Sequence, residues 1–346
     1  MKFFIPGGAG YIGAHISYML LENGHDVVIL DNFSNSSIFS VNSIEDLAEK
    51  KVTLYEGDIR NSEMLFKIFN AHTFDGVIHL AALKSVSESI KKPSLYHENN
   101  VEGTMCLLAT MRSFNIKNLI FSSSATVYGL PQHLPINEEH PLSSINPYAQ
   151  TKLSIEQELK AISANEDGWK IVSLRYFNPV GAHESGMIGE SPLDTPNNIM
   201  PYIVNVANKE SPYIKIFGND YDTKDGTGVR DYVHVMDLAE SHLLALNYIG
   251  IKAFDQKLNY SAKDNYGFNV FNIGTGKGLS VLELINTFQK VNEIEVPYKF
   301  TSRRPGDVSS SFADVNKSLK AFEWNAKRTI EEMCASAWNY KKKNYE

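Results

Sequence analysis

Cysteine is nearly absent: the chain of 346 residues has only Cys106 and Cys334. Both lie in apolar patterns of helical period, so packed core thiols are expected, not a disulfide or a catalytic thiol. Long hydrophobic runs are missing too. No apolar stretch approaches the ~20 residues that cross a bilayer, so no membrane span is expected. The opening MKFFIPGG reaches glycine too soon for a signal or transit peptide. Positive charge is scarce: the formal net charge is −7, and the longest basic run is 341–343. A nucleic-acid surface is therefore not expected. The ten histidines show no spacing with cysteine or acidic residues that would hold a metal. What remains, 43% apolar and 21% charged, suits a reduced, soluble, cytoplasmic protein with a sizeable core.

The pattern that is present alternates. β-rich runs recur as KFFI (2–5), DVVIL (26–30), KVTLY (51–55), GVIHLAA (76–82), NLIFSS (118–123) and IVSLRYF (171–177). Between them lie helical stripes, among them Ile12, Ile16, Met19 and Leu20, and Val101, Met105, Leu108 and Met111. Strands apolar on both faces, each followed by a helix, predict an α/β fold with a doubly wound parallel sheet. Residues 1–177 are expected to form this nucleotide-binding (Rossmann) domain. Residues 178–346 are richer in Pro, Asn and Gly and are expected to form mainly a smaller substrate domain, with a segment near 229–249 returning to the first. Residues 250–268 are polar and aperiodic, and read as a surface insertion.

The first strand runs straight into GGAGYIG (7–13). Gly8-x-Gly10-x-x-Gly13 between a strand and a helix lets the backbone turn tightly against a pyrophosphate at the helix N-terminus. The second strand ends in Asp31, 18 residues beyond Gly13. A carboxylate there accepts from a ribose 2′-hydroxyl and repels a 2′-phosphate, and the following NFSNSSIFS offers no Lys or Arg. The cofactor implied is NAD, not NADP.

NPYAQTK (146–152) places Tyr148 and Lys152 one turn apart at a helix start. Alone, that spacing is common. The sheet edge supplies the context: SSSATVYG (122–129) ends the fifth strand and offers Ser124 beside it. A phenol, with a reference pKa of ~10, is a poor base at neutral pH. A neighbouring ammonium would favour the phenolate.

These segments resemble the extended short-chain dehydrogenase/reductase family, and within it the UDP-galactose 4-epimerases. The resemblance spans nearly the whole chain, through GGAGYIG (7–13), LDN (30–32), EGDIRN (56–61), SSSATVYG, LRYFNPVGAH (174–183), PNNIMPY (196–202), IFGNDY (216–221), GTGVRDYVHVMDLA (226–239) and RRPGD (303–307). It implies Tyr148 as acid–base residue, Ser124 as its hydrogen-bonding partner, and Lys152 as ribose holder that tunes the tyrosine. By the same resemblance Gly7, Gly10, Tyr11, Ile12, Asp31, Asn32, Asn35, Asp58, Ile59, Leu80, Ala81, Lys84, Asn99 and Phe177 cradle NAD. A UDP-sugar is gripped by Asn178, Asn198, Ile199, Phe217, Arg230, Arg304 and Asp307, and Ser311 borders the hexose 2-substituent, where a small residue admits N-acetylated sugars. A homodimer through helices near 94–114 and 148–165 is implied as well.

Three positions depart from the family pattern: Pro6 for Thr, Leu80 for an aromatic, and Tyr-Ala-Gln-Thr-Lys for Tyr-Gly-Lys-Ser-Lys. None is a catalytic group, and they bear on cofactor tightness. A 4,6-dehydratase shares the Tyr–Lys pair but carries Asp-Glu where this chain has Ser124-Ala125. A decarboxylase, a uronic-acid epimerase or a non-catalytic NAD(H) sensor on the same fold also remain as readings.

Overall fold

The computed structural model describes residues 1–193, 196, 198–254, 266–304 and 306–345. Seven strands make one sheet: β1 (Lys2–Pro6), β2 (Asp26–Asp31), β3 (Thr53–Glu56), β4 (Gly76–His79), β5 (Asn118–Ser124), β6 (Lys170–Tyr176) and β7 (Gly267–Ile273). Their spatial order is β7-β6-β5-β4-β1-β2-β3, and every neighbouring pair is parallel. This is the doubly wound order, with its topological switch between β1 and β4.

Burial follows the pleat. Phe3, Ile5, Val27 and Ile29 face one core together with Ile16, Leu20 and Leu243. Phe4, Val28 and Leu30 face the other with Leu107, Ile155 and Leu159. Helices α1 (Tyr11–Glu22) and α4 (Val235–Tyr248) supply residues to the first core, and α2 (Pro147–Asn165) to the second. Strands covered on both faces have to be apolar throughout, which is why the sequence shows runs instead of alternation. A third core joins α3 (Ile199–Ala207) to helices Val281–Asn292 and Ile330–Tyr345 through Ile203, Leu284, Phe288 and Met333. Among the described residues no helix is long and apolar enough to cross a membrane.

The structure differs from the expectation in two places. The sheet takes its seventh strand from beyond residue 177, at 267–273. As an edge strand β7 has one hydrogen-bonded neighbour and carries Asn269 and Asn272, so it lacks the apolar run that marks the inner strands. Gly267 and Phe268, read as the end of a surface insertion, already belong to it; residues 255–265 of that insertion lie outside the described residues. The helix near 94–114 is also broken in character: a π-helical turn, His97–Glu102, leads into the α-helix Gly103–Ser113. The turn carries Asn99 and the buried Asn100, in keeping with the tendency of π-turns to occur at functional sites.

Candidate active site

Strands β1 to β6 all point their carboxyl ends at one edge, and the expected residues collect there. The glycine loop follows β1, Asp31 ends β2, and Asp58 and Ile59 follow β3. Leu80, Ala81 and Lys84 follow β4, Ser124 ends β5, and Phe177 and Asn178 follow β6. Pro6 fits this edge, because its carbonyl accepts from Leu80 N (3.0 Å) and Ala81 N (2.8 Å).

The loop after β1 is shaped for a dinucleotide. Gly7 sits at φ +83°, and a Cβ there would stand 2.5 Å from Ala81 N, so glycine is required. Gly10 is different: a Cβ on it would meet a single atom within 4 Å, Gly7 O at 3.4 Å. Gly10 is the N-cap of α1, no side chain caps that helix, and its first turn has no acidic residue. The open space thus lies against a helix N-terminus whose amides favour an anion. Asp31 is buried and braces the loop, its carboxylate accepting from Ala9 N (3.0 Å), Phe33 N (3.0 Å) and Ser36 Oγ (2.8 Å). Arg60 is a cation near this end, but its guanidinium is taken up by Asp58 at 2.9 and 2.7 Å. That pairing holds the Asp58 carboxyl down at about 2. Asn32 reaches the same carboxylate at 3.4 Å, while Asn35 is exposed. These residues fit a diphosphate with an unphosphorylated ribose, as NAD has.

Helix α2 starts at Pro147 because Asn146 caps it, its side chain accepting from Ala149 N at 2.8 Å, and proline suits the first helical position. Further along α2, Glu156 pairs with the buried Arg175 of β6 (Nε to Oε1 3.0 Å) and accepts from Ser173 Oγ (2.8 Å). This network fastens the helix to the sheet beside Ser124. Asn100 fastens its start, donating to Thr151 Oγ1 (3.1 Å) and Leu83 O (3.0 Å) and accepting from Leu83 N (2.8 Å).

Burial pushes the Tyr148 phenol up to about 12, and its hydrogen-bond partner Ser124 pulls the other way. Ser124, not Lys152, is the group that lowers it here. The Lys152 ammonium donates to the Ser122 carbonyl at 2.7 Å and lies 5.0 Å from the centroid of the Phe121 ring. Burial draws its pKa down to about 7, against the opposing charge of Glu156 one turn on.

That lysine makes stability pH-dependent. Its folded pKa lies below its unfolded value of ~10.4, so between the two the unfolded chain binds more protons and stability rises with pH. The slope from this one group is at most about 1.4 kcal/mol per pH unit. In urea melts, Lys152→Met should be more stable than the parent at pH 7, with the gap closing towards pH 10. A gap that does not change with pH would contradict it.

The remaining residues form a second wall. Strand Val229–Arg230 lies between Leu279–Ser280 and Ser310–Ser311, with Arg230 in register with Ser311. The fully buried Asp231 clamps these pieces, accepting from Thr275 N (2.7 Å), Gly276 N (3.0 Å) and Ala313 N (3.1 Å). Arg230 pairs with Asp307, and the Arg304 guanidinium stacks 3.8 Å from the centroid of the Phe217 ring. Asn198 and Ile199 stand at the start of α3. The Asn198 amide does not cap that helix but donates to Glu190 (2.7 Å), which also takes Lys84 (3.2 Å). Sequence reasoning missed Glu190, since a lone glutamate in a loop has no diagnostic spacing. The helix carrying Asn99 and Asn100 belongs to the segments of the resemblance, but only Asn99 was given a role there; the bonds of Asn100 to Leu83 and Thr151 depend on how the helices pack.

Residues 4–337 match the family model described as GDP-mannose 4,6 dehydratase. The chain is 46% identical over 344 residues to a UDP-glucose 4-epimerase of Bacillus subtilis, with 99% of this chain and 98% of that one covered. Among solved structures it resembles the UDP-glucose-4-epimerase of Stenotrophomonas maltophila with bound NAD and formylated UDP-arabinopyranose. The TM-score is 0.93 at 41% identity, covering 99% of this chain and 98% of that one. The UDP-Glc/GlcNAc 4-epimerase of Campylobacter jejuni matches with a TM-score of 0.82 at 34% identity over 99% of each chain.

Proposed function

The chain belongs to the UDP-glucose 4-epimerases of the extended short-chain dehydrogenase/reductase family, and from that premise we propose how its residues epimerise UDP-hexoses at C4. Tyr148 exchanges a proton with the sugar 4-hydroxyl, and Ser124 hydrogen-bonds the phenol and orients that hydroxyl. NAD, when bound, supplies the reversible oxidation of the same carbon. Gly7, Gly10, Tyr11, Ile12, Gly13 and Asp31 hold its diphosphate and ribose, with Asp58 and Ile59 beyond them. Leu80, Ala81, Lys84, Asn99, Lys152 and Phe177 line the path towards Ser124. The forks of Arg230 and Arg304 suit the substrate diphosphate, with Asp307 aligning Arg230. Asn178, Asn198, Ile199 and Phe217 complete the nucleotide end. Because the 4-keto sugar must turn over between the two half-reactions, firm contacts belong at UDP and loose ones at the hexose.

The observation that carries this reading is the Ser124–Tyr148 pair on the same sheet edge as the anion-ready glycine loop. The 4,6-dehydratase named by the family model is the closest competitor. Its acid pair would stand at Ser124-Ala125, where β5 ends and the short helical turn Ala125–Tyr128 begins, and neither residue is Asp or Glu. Incubation with UDP-galactose should give UDP-glucose. A 4-keto-6-deoxy product would favour the dehydratase, and bound NAD without conversion would favour a sensor.

The reading extends to UDP-N-acetylglucosamine and UDP-N-acetylgalactosamine on the strength of Ser311. A cytoplasmic setting is supported by the free thiols of Cys106 and Cys334. A homodimer through a four-helix bundle of residues 94–114 and 148–165 is part of the same proposal. Exposed Glu102, Ala109, Glu158 and Ala161 leave outward faces on both helices. Light scattering at micromolar concentration should give twice the 38.8 kDa chain mass; a single-chain mass would refute the dimer.

A further inference from the structure

Glu190 stands where the two halves of the cleft meet. Its Oε1 accepts from Lys84 Nζ at 3.2 Å and from Asn198 Nδ2 at 2.7 Å. The glutamate side chain is 11% exposed against 38% for the lysine, so the shared oxygen is the sheltered member of the group. Lys84 belongs to the cofactor half and Asn198 to the nucleotide half. Neither is held by its own element alone. The Lys84 backbone is fixed from both sides, by Leu83 on Asn100 and by Ser85 N on the Tyr96 hydroxyl at 2.9 Å. Its ammonium, however, is oriented by Glu190. Asn198 stands at a position where asparagine usually caps its helix, yet its amide is turned away to the carboxylate. Glu190 also lies close enough to Tyr11 of the glycine loop for its charge to raise that phenol's pKa, after burial.

We propose that Glu190 is a positioning residue that sets Lys84 for the cofactor and Asn198 for the substrate nucleotide from one carboxylate. The inference rests on the epimerase reading, which places ligands on those two residues. The two bonds differ in kind. Lys84 needs the negative charge, whereas Asn198 needs only an oxygen acceptor. Glutamine keeps an oxygen and loses the charge; alanine loses both.

Calorimetric titration of UDP and measurement of NAD retained after gel filtration separate these cases. Glu190→Ala should weaken UDP binding about tenfold, the scale of a hydrogen bond to a charged group, and should also shed NAD. Glu190→Gln should shed NAD comparably but lose clearly less UDP affinity. Asn198→Ala, which leaves the carboxylate in place, should weaken UDP about as much as Glu190→Ala and still retain more NAD than either Glu190 variant. This third variant keeps the test open if the alanine substitution fails to fold. Equal losses of both ligands in Glu190→Gln and Glu190→Ala would mean a general structural role and overturn the proposal, as would no loss in Glu190→Ala. A parent protein that binds no UDP would overturn the epimerase reading, and this inference with it.

Discussion

Tyr148→Phe should lower the turnover of UDP-galactose by about 10²–10⁴-fold, the range that a positioned acid–base group supplies. The Kd for UDP should stay within about threefold of the parent's, well short of the tenfold that 1.4 kcal/mol of lost binding would produce. The substitution removes one oxygen and leaves the ring that packs at the head of α2. Its partner is not stranded, because the Ser124 hydroxyl also accepts from Thr126 Oγ1 at 3.0 Å. The nucleotide contacts proposed for Arg230, Arg304 and Asn198 come from other elements, so loss of the phenol leaves them intact. A phenol at about 12 is held as a proton donor at neutral pH, consistent with returning a proton to the sugar. Its service as a base requires added positive charge nearby. A coupled assay against calorimetric UDP binding separates the two quantities. Near-parental turnover in a folded Tyr148→Phe protein would remove the tyrosine from the chemistry.

What could be read in the sequence was what is local or repeated. Strands β1, β2, β4, β5 and β6 declare themselves because burial on both faces demands continuous apolar runs, and the edge strand β3, exposed or half-buried throughout, is read from its place in the alternation. The start of α2 declares itself through Asn146 and Pro147, and the glycine loop through its position between strand and helix. Interactions made across long separations were not legible. Tyr148 and Lys152 both lie in α2, four residues apart. The lysine's actual partner, the Ser122 carbonyl, depends on how α2 lies against β5. Asp231 sits in the quoted RDY segment, but its clamp on residues 275, 276 and 313 exists only once three loops meet. Glu190 is the extreme case, joining residues 106 and 8 positions away. Strand β7 was missed for another reason: an edge strand needs no apolar run to be stable in place.

Ser311→Tyr should cut epimerisation of UDP-N-acetylglucosamine by at least several-fold, and up to about a hundredfold, while sparing UDP-glucose and UDP-galactose. The register supports this position over its neighbours. Ser311 pairs with Arg230 in a parallel ladder, and directly paired residues project to the same face. Its side chain therefore shares a face with the guanidinium proposed to hold the substrate diphosphate. Phe312 projects to the other face, where its ring would lie 3.0 Å from a Cβ placed on Gly278. A register shifted forward by one, which would have put a phenylalanine at the sugar, is thus disfavoured. Ser311 is half-buried, so a phenol there would occupy space between the strand and the ligand. Forcing an acetamido group against it costs at least ~1–3 kcal/mol, roughly fivefold to 150-fold in kcat/KM for the acetylated sugars. Glucose and galactose carry only a hydroxyl at that carbon and escape the overlap. Product analysis by chromatography with all four UDP-sugars provides the check. A parent inactive on both acetylated sugars would sink the assignment of Ser311, and so would a Ser311→Tyr variant that converts them as fast as the parent.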